Sequence, residues 1–286
     1  MITFPKYASD LTCIPVNKEN LAAYEDIVVS SCALPDSYNL LWGVNFETGF
    51  FWEAAHFDTK GIYQYSSLNT PEAIDAIEKL DKPDVMGSLL TAKVPSKYRQ
   101  TAYDIDWKGV VLACQNPGDR SVRSVGSISD WWDFYTGACE FYGSDLFVKL
   151  HPWNSGEIGE KICEIARQYN CQYGKTNHTV IKNCQFVLLY NSSFSVDCFL
   201  RDVPVAQFAE GYFHKTPALT FTNRTYPITI EKRMWGKKLV NFLAHKYCFN
   251  VTMDVEKWVR MMRHFSTSSE LFPLTDEFSY ASSLSC

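Results

Sequence analysis

Three short segments of this chain combine residue types suited to proton transfer, nucleophilic attack and anion binding. Gln115-Asn116-Pro117-Gly118-Asp119-Arg120-Ser121 closes the apolar run Val110-Val111-Leu112-Ala113. Lys149-Leu150-His151-Pro152 closes Leu146-Phe147-Val148, and Asn191-Ser192-Ser193 follows Phe186-Val187-Leu188-Leu189-Tyr190. A carboxylate such as Asp119 at a strand end can act as a nucleophile or as a general base toward a hydroxyl. In a Pro-Gly turn it can equally hydrogen-bond its own backbone. Pro152 biases His151 toward extended geometry, which holds the imidazole at the strand tip. There it can donate to a phosphate or assist a leaving group, or be an ordinary turn histidine. Ser192 and Ser193 open a predicted helix, whose free N–H groups attract anions and whose first hydroxyls also serve as caps. Asp197, one turn on, can hold a pair of ribose hydroxyls or stand as an exposed charge. Gln115, Ser121 and Lys149 complete the polar set.

The elements that must position these residues read as a parallel α/β sheet. Strands are expected near 109–114, 146–150, 172–175, 185–190 and 203–208, with helices near 129–141, 156–169 and 193–200. Ile158, Ile162, Ile165 and Ala166 share one helical face. Strands alternating with helices of this length imply a parallel sheet, and open α/β sheets bind ligands at the carboxyl ends of their strands.

The first part reads as a smaller α/β unit. Asn39–Val44 is expected as a buried strand, Phe50–His56 as an aromatic helical stretch, and Gly61–Tyr65 and Asp84–Leu90 as further strands. Thr70-Pro71 reads as a helix start, with Thr70 as N-cap and Pro71 at the first helical position. Two more segments, 227–247 and 255–265, read as helical. The resulting expectation is two α/β domains with a cleft between them: 1–106, 107–250, and a tail, 251–286, packing back on the first. Glu47, just before Gly49, is the candidate carboxylate facing the cleft from the opposite side, and Glu53 is the alternative. Paired carboxylates across a cleft suit chemistry at a sugar carbon. Trp42, Phe50, Phe51 and Trp52 are available to stack on sugars or to pack a core.

Bulk properties narrow the class. A length of 286 residues with 46% hydrophobic content supports a sizeable core and two domains. A net charge of −5 argues against a general nucleic-acid binder. No apolar run reaches the length of a membrane span. The first residues lack a signal-peptide pattern, so a cytoplasmic protein with reduced thiols is expected despite ten cysteines. The sequons at Asn177, Asn191, Asn223 and Asn250 are read as chance. No metal-ligand cluster and no dinucleotide or P-loop glycine pattern is evident; no cofactor or metal is expected.

Taken together, Gln115…Asp119-x-Ser121, Lys149-Leu150-His151-Pro152 and Asn191-Ser192-Ser193 with an acid four residues on resemble the bacterial capsule and lipopolysaccharide β-Kdo glycosyltransferases over roughly 107–215. The resemblance implies a metal-independent, GT-B-like fold with two Rossmann-type domains. It implies Asp119 as nucleophile of a retaining double displacement and His151, Pro152, Ser192 and Ser193 as phosphate binders. Asp197 falls where the family holds the ribose with Glu, and Glu47 is the acid/base. Arg120, Arg123 and Lys149 are the available cations for a Kdo carboxylate. The short, Cys- and Phe-rich chain also resembles the compact glycosyltransferases of large algal viruses (chloroviruses), which implies a UDP-sugar donor such as UDP-xylose and a xylosyltransferase, in the host cytoplasm. With an α-linked UDP-sugar, a β product requires inversion, and Asp119 or Glu47 is then the base. The expected partners are a nucleotide sugar and a glycan acceptor. A nucleotide-sugar epimerase and a glycan-binding module without turnover remain the alternatives.

Overall fold

The structure is a computed structural model. It describes residues 45–58, 60–91, 103–222, 226–228, 230, 235–250, 252–253, 256–257, 260–261, 264–265 and 268–284, with 45–48 as backbone only. The chain divides into two compact units, Arg99–Lys237 and a unit made of Met1–Tyr98 with Lys238–Cys286. The Asn39–Val44 strand expectation and Trp42 lie outside the described residues.

In the unit that contains both ends of the chain, β1 (Asn45–Thr48) and β2 (Ala54–Asp58) form an antiparallel hairpin. The Gly49 N–H donates to Ala54 O at 2.7 Å and Ala54 N to Phe51 O at 3.3 Å. A Cβ on Gly49 would lie 2.8 Å from Ala54, so only glycine fits this turn. The expected helix over Phe50–His56 is therefore a turn and a strand. All five residues of β2 are buried, His56 and Asp58 included, so no alternation of exposure marks it as a strand. Phe50 and Phe51 belong to the core: Phe50 stacks on His56 at 5.1 Å, and Phe51 on Tyr280 at 5.0 Å.

Residues 61–65 are not a strand either; Tyr63–Tyr65 and Ser67–Asn69 are 3-10 turns. Buried Asp58 organises them. It accepts from the backbone N–H of Lys60 and Gly61, from N and Oγ of Ser67, from Ser66 Oγ and from Tyr247 Oη. Side-chain donors thus take the chain into turns where hydropathy alone suggests extension. Helix α1 (Pro71–Glu78) starts as expected, with Thr70 Oγ1 accepting from Ala73 N and Pro71 in the first turn. Asp84–Leu90 is replaced by α2 (Met86–Thr91), initiated by Asp84 Oδ1 accepting from Met86 N.

The Arg99–Lys237 unit begins with β3 (Val110–Ala113), followed by α3 (Arg120–Arg123), α4 (Ile128–Tyr142), β4 (Leu146–Lys149), α5 (Gly156–Gln168) and β5 (Gln172–Gly174). It continues through β6 (Phe186–Leu189), α6 (Phe194–Leu200), β7 (Val205–Gln207) and β8 (Thr220–Phe221). A capping box between Ser127 and Asp130 starts α4. All pairings in the six-stranded sheet are parallel, in the order β5-β4-β3-β6-β7-β8. Val110, Leu112, Leu146 and Val148 pack on Trp131, Tyr135, Ala138, Ile162 and Ala166 of α4 and α5. From β3 the chain moves outward through β4 to β5, then returns to start β6 on the other side of β3. Right-handed crossovers then place the helices of the two halves on opposite faces.

Helix α7 (Trp235–Phe242) runs into one π-helical turn, Leu243–Tyr247, and then into β9 (Cys248–Asn250). This strand completes the order β1-β2-β9 of the first unit, all antiparallel. A short final helix, α8 (Tyr280–Ser283), is capped by Ser279.

Candidate functional site

The order of the parallel sheet makes the β3–β6 seam a topological switch point, where loops leaving adjacent strands diverge to opposite faces and leave a crevice at the carboxyl edge. Gln115 stands just beyond β3 and Asn191 just beyond β6, both 5% exposed. Their side chains close the seam. Gln115 Nε2 donates to Asn191 Oδ1 at 3.0 Å, and Asn191 N donates to Gln115 Oε1 at 3.0 Å. Asn191 Nδ2 donates to Ser121 O at 2.7 Å and to Glu210 O at 3.1 Å, while Gln115 Nε2 also reaches Ser121 Oγ at 3.3 Å. Buried amides need every such bond, because each unmade one costs about 1–3 kcal/mol. The network therefore fixes how the β3 and β6 loops stand relative to one another.

The β4 loop is tied to the same network. Asn154 Oδ1 accepts from His151 N at 2.8 Å, Asn154 N donates to His151 O at 2.9 Å, and Asn154 Nδ2 reaches Gln115 O at 3.5 Å. Trp153 N donates to His151 Nδ1 at 3.2 Å. A backbone N–H can only donate, so Nδ1 is the acceptor and the neutral imidazole carries its proton on Nε2. His151 is thereby set as a donor, the form that suits an anionic oxygen.

Lys149, the last residue of β4, is 4% exposed, with Nζ 5.3 Å from the centre of the Phe194 ring. Burial pulls its pKa down to about 8, against the opposing fields of Asp197 and Cys198. Asp197 is buried in α6. Its Oδ1 lies 3.0 Å from His178 Nε2 and 3.5 Å from Arg201 Nη1. His178 in turn stacks on Phe194 at 5.4 Å. Lys149 and Arg201 thus bring two cationic groups to one carboxylate, which leaves this part of the strand edge net positive.

The remaining sequence-derived candidates are placed as follows. Asp119 is half-buried and caps α3, its Oδ1 accepting from Arg120 N at 2.9 Å. Ser121 is buried in the seam, while Arg120 and Arg123 are exposed. Ser192 Oγ accepts from Phe194 N at 3.2 Å, and the Ser193 hydroxyl makes no capping bond. Helix α6 has seven residues, so its dipole is short and the charged side chains dominate the local field. Pro152 O accepts from Lys175 Nζ at 3.2 Å. Glu47 lies in β1 opposite His56, and its side chain lies outside the described residues. Glu53 is exposed in the hairpin turn at φ 54°, not embedded in a helix, because the chain must reverse there. Among the described residues no His, Cys, Asp or Glu cluster could hold a metal.

Asn154, His178 and Arg201 are members of this constellation that the motifs did not disclose. Arg201 had a local signal, four residues after Asp197. His178 had none, since only folding brings it to α6.

The parallel sheet and its switch-point network define a doubly wound, GT-B-like α/β fold. Among solved structures the chain is similar to Thermosulfurimonas dismutans KpsC, beta Kdo 2,7 transferase, at 13% identity and a TM-score of 0.53. That similarity covers 93% of this chain and 100% of the other. It is also similar to Thermosulfurimonas dismutans KpsC, beta Kdo 2,4 transferase, at 16% identity and a TM-score of 0.47 over 77% and 78% of the two chains. At such identities the likeness to the first is one of fold. No protein-family model matches the chain, and no curated protein matches it. Among the described residues no helix is long and apolar enough to cross a membrane.

Proposed function

We propose that this chain is a metal-independent glycosyltransferase that transfers a sugar from a nucleotide-sugar donor to a glycan hydroxyl, forming a β-linkage. The observation that carries the reading is the cationic, hydrogen-bond-donating carboxyl edge at the β3–β6 switch point. The fold shared with a Kdo transferase supports it. In this reading the Arg99–Lys237 unit holds the donor and the other unit holds the acceptor. The Lys149 ammonium, His151 Nε2–H and the Ser192 and Ser193 hydroxyls receive the phosphate as its bond to the anomeric carbon breaks. Preorganised donors of this kind stabilise charge that develops in the transition state.

Asp119 stands on the loop leaving β3. With a CMP-Kdo-like donor, its carboxylate attacks the anomeric carbon as the nucleotide departs with the bonding pair; the acceptor oxygen, its proton passing to Glu47, then displaces the Asp119 carboxylate. With a UDP-sugar such as UDP-xylose, Asp119 or Glu47 takes the acceptor proton in a single inverting step. A thermal-shift screen with CMP, UDP, GDP and their sugar conjugates tests the reading, because a ligand bound only by the folded state raises Tm. Stabilisation by CMP favours the first course and stabilisation by UDP the second. Absence of any response sinks the reading.

One observation favours a second reading, a glycan-binding module without turnover. Asp197, at the position assigned to the ribose, is engaged by His178 and Arg201. Donor hydrolysis by the wild-type protein would exclude it.

A further inference from the structure

Lys149 and Asp197 are buried side chains of opposite charge that come together through Phe194. Lys149 ends β4 with Nζ 5.3 Å from the centre of the Phe194 ring. Asp197 lies three residues after Phe194 in α6, a spacing that puts both on one helical face. His178, which opens the 3-10 turn His178–Ile181, stacks on the same ring, and its Nε2 stands 3.0 Å from Asp197 Oδ1. Arg201 Nη1 donates to the Asp197 backbone carbonyl at 2.9 Å and stands 3.5 Å from Oδ1. The carboxylate is thus held from two sides inside the protein. A ligand that takes both carboxylate oxygens, as a ribose diol does, has to compete with these contacts.

Resting on the nucleotide-sugar reading above, we infer that Asp197 is a positioning residue and not a ribose ligand: its buried carboxylate keeps Lys149 an ammonium, ready for the donor phosphate. An ammonium withdrawn from water gives up its proton more readily unless an opposite charge compensates. Burial is the larger influence on Lys149 and draws its pKa down to about 8; the field of Asp197 is the leading one against it. Without that carboxylate the amine falls further and turns neutral at lower pH, where it no longer attracts a phosphate. The other titratable and charged groups packed here do not replace it. Cys198 opposes burial only as a thiolate, and burial pushes that thiol well above its ordinary range. Arg201 is a cation at every relevant pH. His178, and His151 on the loop leaving β4, are neutral or positive, so neither adds negative charge.

The test is calorimetric titration with pyrophosphate and with UDP, at pH 7 and pH 9, of wild type, Asp197→Asn, Asp197→Glu, Lys149→Arg and the double variant Lys149→Arg/Asp197→Asn. Asn removes the charge and keeps the shape. Ionisation of the ligand is common to all the proteins and cancels from ratios of affinity. Loss of a neighbouring opposite charge moves a pKa by about one pH unit or more. The ratio of wild-type to Asp197→Asn affinity should therefore rise about fivefold from pH 7 to pH 9, and equally for the two ligands. Asp197→Glu keeps the charge and should follow wild type. Arginine does not titrate in this range, so in the Lys149→Arg background the ratio should be flat. Lysine-selective 13C NMR of the unliganded proteins, with the Lys149 signal assigned by its loss in Lys149→Arg, should show a titration midpoint lower in Asp197→Asn than in wild type. Equal midpoints, or an affinity ratio that does not change with pH, would overturn the inference and leave the nucleotide reading intact. A loss for UDP with none for pyrophosphate would also overturn it, by making Asp197 a ribose ligand. If wild type binds neither ligand, the nucleotide reading itself fails, and Asp197 then has no part in phosphate binding even where the midpoints differ.

Discussion

Replacing Lys149 by methionine should stabilise the protein and remove an anion ligand at once. Burial, opposed by Asp197 and Cys198, holds this ammonium at about 8, against an ordinary 10.5. At 1.36 kcal/mol per pH unit, the charged form is disfavoured in the folded protein by about 3 kcal/mol. The folded pKa lies below the unfolded one, so as pH falls the unfolded chain binds the proton first. Stability present above pH 10.5 is lost between there and pH 8, and levels off below. Methionine keeps most of the volume and binds no proton. The variant should therefore exceed wild type by about 3 kcal/mol at pH 7, an advantage that shrinks to about 1 kcal/mol at pH 10. Urea denaturation of both proteins at the two pH values measures this, and the difference between them cancels titrations they share. The same variant should lose the Tm increase that pyrophosphate gives wild type. A variant less stable than wild type at pH 7, or an advantage that does not shrink by pH 10, would refute the account of Lys149 as a desolvated charge.

Other outcomes follow from the same geometry. Asn191→Ala removes one of the two acceptors of Gln115 Nε2 and the side-chain donor to the carbonyls of Ser121 and Glu210; it should cost about 2–3 kcal/mol in urea denaturation and weaken nucleotide binding in the thermal-shift screen. Asp58→Ala removes the buried acceptor shared by Ser66 Oγ, Ser67 Oγ and Tyr247 Oη. It should lower stability by about 3 kcal/mol or more, and a loss under 1 kcal/mol would show the cluster to be dispensable. A Cβ on Gly109 would meet Asp145 O at 2.2 Å. Gly109→Ala should therefore cost about 2 kcal/mol or more by calorimetry, with an unchanged Tm as the contrary result.

The parallel sheet was legible in the amino-acid sequence because its strands are buried on both faces. Val110–Ala113, Leu146–Lys149 and Phe186–Leu189 are short continuous apolar runs separated by helices of regular period, and each expected range contains its observed strand. Thr70-Pro71 was legible too, because capping is local chemistry within four residues. The loops carrying Gln115, Asp119, His151 and Ser192 follow from those strand ends. What local pattern could not decide was settled by partners distant in sequence. Ala54–Asp58 is a strand because β1 and β9 pair with it, the latter nearly two hundred residues on. Residues 61–69 turn because buried Asp58 collects their donors. The Gln115–Asn191 pair spans 76 residues of sequence, and the burial that lowers the Lys149 pKa exists only once α6 packs at the end of β4. Periodicity and caps act over a turn of chain, so sequence alone could determine the elements and the candidate loops. Desolvation and hydrogen bonding across the sheet act through space, so only the tertiary structure could decide which of those residues meet and in what state of charge.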